Sequence, residues 1–353
     1  MFVLKSILPL ISLLLLSCAD NHLRDDASVD ANAQTPSDSL TRITGVSLEM
    51  PANEIEERKF AEVADFGMKW VSLIPYGYTE KGKSKVHFNW EGRWWGESLN
   101  GTAKCISYAK ENGLKTLLKP HVWVVGEGWP GRFDPENETD WLEWEKSYRD
   151  YILACAYVAD SLSVDAFCIG TEYRIAVVDR SPFWSKLIEE VREVYHGPIT
   201  YAANWDNYEK VTFWDQLDFI GIDAYFPVAK GKEPNVMELE KGWDEVAQKL
   251  SDFAQRWEKK IAFTEYGFKS VDYLHHQGAK SEDEVKPNMK NQENAYRAFF
   301  NSVWKEDWMM GGFFWKWHFY ENAGGENNTR YTPQNKPAAK IVMRNYKAAK
   351  SYD

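Results

Sequence analysis

Two glutamates follow two short apolar stretches of similar construction. Glu172 comes directly after the run AFCIGT (166–171), Glu265 comes after the run IAFT (261–264), and a tyrosine follows each glutamate. Short, continuous apolar runs are typical of strands buried on both faces. Two carboxyl groups held at strand ends can divide one reaction between them, one protonated as an acid and the other ionised as a nucleophile or base. Either glutamate alone could instead belong to a structural ion pair.

Aromatic and polar residues also lie near the ends of the apolar runs. The predicted ligand-binding residues are His121, Trp123, Thr171, Asn204, Trp205, Tyr225 and Trp315, and further tryptophans that could form walls are Trp94, Trp95 and Trp129. Such a set suits a neutral ligand rich in hydroxyl groups, because its apolar faces stack on aromatic rings. The chain has 17 tryptophans, although core packing is the ordinary role of any one of them. His121 could bind a ligand hydroxyl, orient Glu172, or be structural.

Eight apolar runs alternate with helical stretches and define the elements that must position these residues. The predicted strands are Ile43–Glu49, Trp70–Ile74, Lys115–Lys119, Ala166–Thr171, Ile199–Ala203, Phe219–Asp223, Ile261–Glu265 and Gly312–Trp315. The predicted helices are Ile55–Phe66, Leu99–Asn112, Asp140–Ser161, Pro182–Tyr195, Trp243–Lys259, Asn291–Trp304 and Ala338–Lys350. The connection between Ala203 and Phe219 has the weakest helical pattern.

This alternation predicts an α/β fold, a single-domain (β/α)8 TIM barrel. The alternative is an open doubly wound sheet, but no glycine-rich turn follows the first strand, where a nucleotide-binding sheet would place one. In a barrel the active site lies at the C-terminal ends of the strands. Glu172 would end the fourth strand and Glu265 the seventh, so the two would face each other across the mouth. Their mutual repulsion would help to keep one of them protonated.

The charge and the cysteines of the chain argue against a nucleic-acid partner, a metal site and a disulfide framework. The net charge is -11 and no stripe rich in lysine and arginine is present, which argues against nucleic acid. Cys105, Cys155 and Cys168 lack metal-ligand spacing and lie in apolar stretches, so they are predicted to be small buried side chains and not disulfide partners. No cofactor and no metal is implied.

The N-terminus has the pattern of a targeting segment. An apolar run, Ile7–Leu16, follows Lys5, is too short to span a bilayer and leads into Leu15-Leu16-Ser17-Cys18. This ending resembles the lipobox of bacterial lipoproteins, which implies a signal peptide over residues 1–17 and lipidation of Cys18; an ordinary signal peptide with a chance cysteine is the alternative. Residues 18–40 are polar and predict a disordered tether before a barrel domain over residues 41–353. The protein would then be extracytoplasmic, lipid-anchored to a bacterial membrane in the periplasm or at the cell surface.

Five motifs resemble those of glycoside hydrolase family 113, β-1,4-mannanases in the clan of retaining (β/α)8 glycoside hydrolases. They are Ile169–Arg174, Phe263–Phe268, Lys119–Trp123, Asp223–Pro227 and Tyr331–Ala338. The resemblance implies that Glu172 is the acid/base, that Glu265 is the nucleophile, and that Tyr225 and Trp315 surround the sugar whose bond is cut. The implied substrate is a β-linked oligo- or polysaccharide of mannan type.

The chain departs from the clan at one position. Many members place asparagine before the acid/base, where its amide bonds the sugar 2-hydroxyl, whereas this chain has Thr171. Threonine has a shorter reach than asparagine, so the resemblance does not carry the 2-hydroxyl contact over to Thr171. Within the same clan a β-mannosidase or a β-glucanase remains an alternative. A non-catalytic surface lipoprotein that captures glycans is another, although a pure binding protein has no need of two opposed acids.

Overall fold

The computed structural model describes residues 42–274 and 286–349. In chain order its strands are β1 (Ile43–Leu48), β2 (Trp70–Leu73), β3 (Tyr76–Glu80), β4 (Lys115–Leu118), β5 (His121–Val125), β6 (Ala166–Thr171), β7 (Ile199–Asn204), β8 (Ile220–Asp223), β9 (Ile261–Tyr266) and β10 (Met309–Trp317). Eight of them form a closed parallel barrel in the order β1-β10-β9-β8-β7-β6-β4-β2. The predicted (β/α)8 TIM barrel is confirmed, and the open sheet is excluded.

The helices lie between the barrel strands, as a (β/α)8 fold requires. They are α1 (Arg58–Phe66), α2 (Leu99–Glu111), α3 (Glu138–Ser161), α4 (Ala176–Asp179), α5 (Ser181–Val194), α6 (Val236–Trp257), α7 (Met289–Asn301) and α8 (Ala338–Ala348). The prediction missed the first turns of α6, where Asn235 and Glu238 form a capping box that satisfies free backbone N–H groups. Between β7 and β8, where the helical pattern is weakest, two short 3-10 turns replace a helix.

The core has two layers, one on each side of the barrel wall. Inside the barrel, Trp70, Leu117, Cys168 and Phe313 belong to a buried cluster, while a larger cluster packs between the strands and the helices. All three cysteines of the described chain are buried and free, as predicted. Because side chains fill the interior of a barrel of this size, a ligand has access at its mouth and not through its centre.

Two barrel strands continue past the mouth as a small second sheet that the sequence patterns did not predict. After Pro75 and Pro120 the chain forms β3 and β5, which pair in parallel from Tyr76 and His121 to Glu80 and Val125. Proline has no N–H to donate to a ladder, and each proline here separates a barrel strand from its extension. The extension raises a wall above one side of the barrel mouth.

The predicted signal peptide (residues 1–17), the lipidated Cys18 and the tether (residues 18–40) lie outside the described residues and stay predictions. Within the described ranges, no helix combines the length and the apolar character that crossing a membrane would require.

Candidate active site

Each of three barrel strands carries an irregularity where it delivers residues to the mouth. Relative to its neighbour, β6 has an extra residue within Cys168–Thr171, β9 within Phe263–Glu265, and β10 within Trp315–Trp317. A β-bulge bends a strand and re-aims the side chains that follow it, and such bulges are common beside active sites. The irregularities therefore determine how Glu172 and Glu265 enter the cleft.

Gly170 shows why the β6 irregularity depends on this particular sequence. A Cβ at this position would lie 2.7 Å from the Tyr148 hydroxyl oxygen and 2.8 Å from the Trp184 ring, closer than van der Waals contact. Tyr148 in turn donates its hydroxyl proton to the carbonyl oxygen of Ile169 at 2.9 Å. A glycine inside a strand is a known indicator of a bulge or of close packing, so Gly170 could have indicated the irregularity of β6 from the sequence.

Glu172 is held in one orientation by two side-chain donors. The Trp129 indole nitrogen donates to Oε2 at 2.6 Å, and the Asn204 amide donates to Oε1 at 2.9 Å. The backbone of Glu172 has a φ of 54°, a left-handed conformation that is rare and strained for a residue with a side chain and that is concentrated at functional sites. Both carboxyl oxygens accept bonds from the protein, which leaves the proton of the acid form available to a ligand.

The surroundings of Glu172 favour its protonated form. Burial raises its pKa well above the usual range, and the negative charges of Asp223 and Glu265 raise it further. The Lys119 ammonium and the bond from Trp129 act in the opposite direction without cancelling the shift. A carboxylic acid that keeps its proton where free glutamate is ionised can serve as a general acid.

Glu265 has a different environment, with a cation and a phenol on its two oxygens. Lys119 Nζ donates to Oε1 at 2.6 Å, and the Tyr225 hydroxyl donates to Oε2 at 2.7 Å. His121 Nε2 lies 3.6 Å from Oε1. Charge-assisted bonds of this kind hold a carboxylate rigidly, as attack on a bound ligand requires.

A buried ion pair beneath Glu265 is the main part of the site that the sequence reasoning missed. Lys119 Nζ lies 3.0 Å from Asp223 Oδ1, Thr264 donates to the same oxygen at 2.7 Å, and both ionic side chains are fully buried. Burial and the charge of Glu265 raise the pKa of Asp223 to about 7. Burial opposes the charged form of Lys119, but the charges of Asp223 and Glu265 outweigh it and raise the lysine pKa.

We expect Lys119→Met to lower kcat/KM by about 10²-fold or more, the scale of losing one preorganised electrostatic contact. We also expect it to lower the free energy of unfolding by about 3–5 kcal/mol, the cost of breaking a buried ion pair. The substitution removes the cation from Glu265 and leaves Asp223 buried without its partner. Steady-state kinetics and thermal denaturation measure the two effects. The matched control is the double variant Lys119→Met/Asp223→Asn. Compared with Lys119→Met alone, it should regain stability but not activity. Recovery of both would show that Lys119 is only structural.

His121 faces Glu265, whereas the sequence left open that it orients Glu172. Burial, together with the positive charges of Lys119 and Lys316, lowers its pKa well below the usual range. The ring is therefore neutral at ordinary pH. Its Nε2 is buried and has no hydrogen-bond partner among the described residues, and binding of a ligand hydroxyl by His121 stays a prediction.

The predicted tryptophans are divided between the mouth and the protein body. Trp123 and Trp315 border a cleft of about 200 Å³ that is also lined by Tyr76 and Tyr78 of the β3–β5 sheet, and neither glutamate is among its lining residues. Trp205 is partly buried and packs with its ring centroid 5.9 Å from that of Phe226. A larger cavity, about 1140 Å³, is bordered by α1, α7 and α8 and contains neither catalytic candidate. The candidate site is the mouth of the barrel, because the C-terminal ends of β6 and β9 place Glu172 and Glu265 there.

Thr171 lies below the surface of the cleft. It is 4% exposed, and its hydroxyl has no hydrogen-bond partner in the described chain. The amide that contacts Glu172 belongs to Asn204, on the next barrel strand. Trp129, predicted only as a possible wall, is instead the second donor to Glu172. No group of three or more His, Cys, Asp or Glu residues that could hold a metal ion is found in residues 42–274 and 286–349.

Comparisons with known proteins agree with the barrel fold and identify a family. The model of Glycoside Hydrolase Family 113 matches residues 51–336. The chain is similar to the GH113 β-mannanase AaManA from Alicyclobacillus acidocaldarius, solved in complex with ManMIm, with 26% identity and a TM-score of 0.76 over 89% of this chain and 100% of that one. A second GH113 β-1,4-mannanase gives 23% identity and a TM-score of 0.75 over 87% and 99%.

A more distant similarity concerns the fold alone. A β-glucuronidase from Ruminococcus gnavus aligns at 14% identity and a TM-score of 0.59, over 86% of this chain and 49% of that one. The search of curated protein sequences returned no match.

Proposed function

Because this chain belongs to glycoside hydrolase family 113 and is an O-glycoside hydrolase, we propose that it is a retaining endo-β-1,4-mannanase. The observation that carries the proposal is the contrast between its two glutamates. Glu172 lies where burial and negative neighbours keep a proton on it, and Glu265 is held by Lys119 and Tyr225. One acid and one oriented carboxylate are what a double-displacement reaction requires.

The proposed reaction has two steps. In the first, a carboxylate oxygen of Glu265 attacks the anomeric carbon, the glycosidic C–O bond breaks, and Glu172 gives its proton to the leaving oxygen. In the second, the ionised Glu172 takes a proton from a water molecule, the water oxygen attacks the same carbon, and Glu265 leaves as a carboxylate. Two inversions at one carbon retain its configuration. Neither step needs a metal or a cofactor.

The preference for mannan is supported by the relatives and by the character of the site. AaManA, described as a β-mannanase, shares 26% identity and aligns over its whole length. At the mouth of this chain, Trp123 and Trp315 offer apolar ring faces, while Asn204 and Tyr225 lie beside the glutamates. Aromatic faces with a few placed polar groups suit a neutral sugar chain.

Wild type and Glu265→Ala should be assayed on mannan, glucomannan, cellulose and xylan. We expect wild type alone to release new reducing ends, from mannan and glucomannan, and early products observed by NMR to carry the β configuration. Release from cellulose but not from mannan would indicate a β-glucanase, and release of single mannose units from chain ends would indicate a β-mannosidase. Binding by wild type without any release would support the non-catalytic capture protein.

A further inference from the structure

The segment Tyr331–Ala338, between β10 and α8, has no part in the reaction described above. Three of its polar side chains, Thr332, Gln334 and Lys336, are nevertheless buried. Buried polar and charged groups need hydrogen-bond partners. The partners of these three side chains therefore show what the segment holds together.

Gln334 attaches the segment to the end of β10. Its side-chain amide donates to the carbonyl oxygen of His318 at 2.9 Å and accepts from the backbone N–H of the same residue at 2.8 Å. The Thr332 hydroxyl donates to Gln334 Oε1 at 3.1 Å and fixes the orientation of the amide. One amide thus satisfies both backbone groups of a residue just beyond the strand, and one side of the segment is fixed to the barrel.

Lys336 links the segment to two loops at the barrel mouth. Its Nζ donates to Ser270 Oγ at 2.9 Å, to Asn328 Oδ1 at 3.0 Å and to the carbonyl oxygen of Arg330 at 2.8 Å. Ser270 lies in the connection after β9, and the other two residues lie in the connection after β10. An ammonium group has three protons, and each of them is used here. Lys336 is therefore a link between loops and has no proton left for a ligand.

A lysine is a costly residue for this position. The three acceptor atoms carry no formal charge, and burial lowers the pKa of Lys336 to about 7. A buried cation without an opposite charge beside it lowers stability. Local features that lower stability in this way are expected mainly at functional sites.

The loop that Lys336 holds leads directly to the surroundings of the nucleophile. Arg330, whose carbonyl oxygen bonds Lys336, is followed by Tyr331. The Tyr331 ring centroid lies 5.5 Å from that of Tyr225, and the Tyr225 hydroxyl donates to Glu265 Oε2 at 2.7 Å. Contacts therefore run without a break from the lysine to the carboxylate.

Tyr331 also packs against the strand end that carries Glu265. A Cβ added to Gly267 would lie 3.3 Å from Tyr331 Cδ1, so the ring lies close to the backbone just after the nucleophile. Burial raises the pKa of Tyr331 to about 12, and the negative charges of Glu265 and Glu172 contribute to the shift. A displaced Tyr331 would therefore alter the packing around both Tyr225 and the end of β9.

We propose that Lys336 is a positioning residue for Glu265, because it holds Tyr331 against Tyr225 and so keeps the Tyr225 hydroxyl on the carboxylate. This inference rests on the proposed function. Lys336 acts through these contacts and not by binding the sugar.

Lys336→Met should lower kcat on mannan by about tenfold and leave KM nearly unchanged, because a displaced Tyr225 weakens a contact that orients the nucleophile in the transition state. Steady-state kinetics measures both constants. The matched control is Lys340→Met, the same substitution at an exposed position on α8, which should keep the wild-type kcat. An unchanged kcat in Lys336→Met would overturn the proposal.

A double variant distinguishes positioning from a general loss of stability. In Tyr225→Phe the bond to Glu265 is already absent, so adding Lys336→Met should cause little further loss of kcat. Such non-additivity is expected of residues that act through one contact. If Lys336→Met lowers kcat by the same factor in wild type and in Tyr225→Phe, its role is only structural and the proposal is wrong.

Asn328→Ala provides the same test if Lys336→Met does not fold. It removes one acceptor of Lys336 and the acceptor of the Arg330 N–H, and it leaves the lysine in place. We expect a smaller loss of kcat than in Lys336→Met, and again little further loss when Tyr225→Phe is present. Equal losses with and without Tyr225→Phe would contradict a positioning role.

Crystal structures of the same variants separate failure of this inference from failure of the proposed function. If wild type cleaves no glycan, the proposed function is wrong, and the contacts can still be measured. In Lys336→Met or Asn328→Ala we expect a displaced Tyr331 ring and a distance between the Tyr225 hydroxyl and Glu265 Oε2 longer than the present 2.7 Å. If both contacts are unchanged in the variant, Lys336 does not position Tyr331.

Discussion

Glu265→Ala should lower kcat/KM on mannan by about 10⁴-fold or more, the scale seen when a catalytic nucleophile is removed. The substitution takes away the group that forms the glycosyl–enzyme bond. Asp223 cannot replace it, because that carboxylate is fully buried and bonded to Lys119 and Thr264. The variant should remain folded, since alanine at this position leaves the Lys119–Asp223 pair intact. Reducing-end assays on mannan, with a thermal melt of the same protein, measure both expectations.

Added azide gives this prediction a positive readout. In Glu265→Ala the volume of the lost carboxyl group lies on the face from which the nucleophile attacks, so azide can enter there. With an activated aryl β-mannoside we expect azide to restore turnover and to give the α-mannosyl azide, the product of one inversion. Tyr225→Phe is the matched control, because it removes one donor to Glu265 and keeps the carboxylate. Substantial activity of Glu265→Ala without azide would contradict the assignment.

The barrel could be predicted from sequence because each of its strands is a separate apolar run. All eight were located, and Ala166–Thr171 has the predicted bounds. The β3–β5 sheet was missed for a physical reason. Its strands lie above the mouth with one exposed face, as Trp123 shows, so their residues do not form a continuous apolar run. The prolines before them were interpretable as strand ends but not as the start of a second sheet.

Only those residues of the site that lie at the ends of predicted strands could be predicted from the sequence. Glu172, Asn204, Tyr225 and Glu265 follow from the rule that strand ends form the barrel mouth, and the structure brings their side chains into contact in pairs. The bond between Lys119 and Asp223 joins residues 104 positions apart, and no spacing rule reveals it. A lysine or an aspartate in a buried strand was nevertheless a usable signal, because such charges are rarely buried without a partner.

The contact between Trp129 and Glu172 could not be predicted from the sequence either. Trp129 lies in the connection after β5, where no periodic pattern fixes the direction of a side chain. Only the folded chain shows that its indole nitrogen contacts Glu172. Trp129→Phe therefore provides a probe of the acid that leaves Glu172 itself unchanged.

Glu172→Ala should impair the enzyme in a way that depends on the leaving group. On mannan, whose leaving sugar needs a proton, we expect kcat/KM to fall by about 10³–10⁴-fold, near the upper range for loss of general acid catalysis. With a 2,4-dinitrophenyl glycoside, which leaves without protonation, the first step should be nearly unaffected and the glycosyl–enzyme should accumulate. Azide should then release it as the β-mannosyl azide, because a second inversion restores the original configuration. Formation of the α-azide would contradict the role assigned to Glu172.

The pH profile of the same variant tests the raised pKa directly. The acid works only while protonated, so wild-type activity on mannan should fall as pH rises through the raised pKa of Glu172. Glu172→Ala, assayed on the dinitrophenyl substrate, should lack this alkaline limb. In Trp129→Phe the limb should move to higher pH, since the bond from Trp129 lowers the pKa of Glu172 and its loss favours the protonated form. A limb that stays in place in both variants would show that a group other than Glu172 supplies the proton.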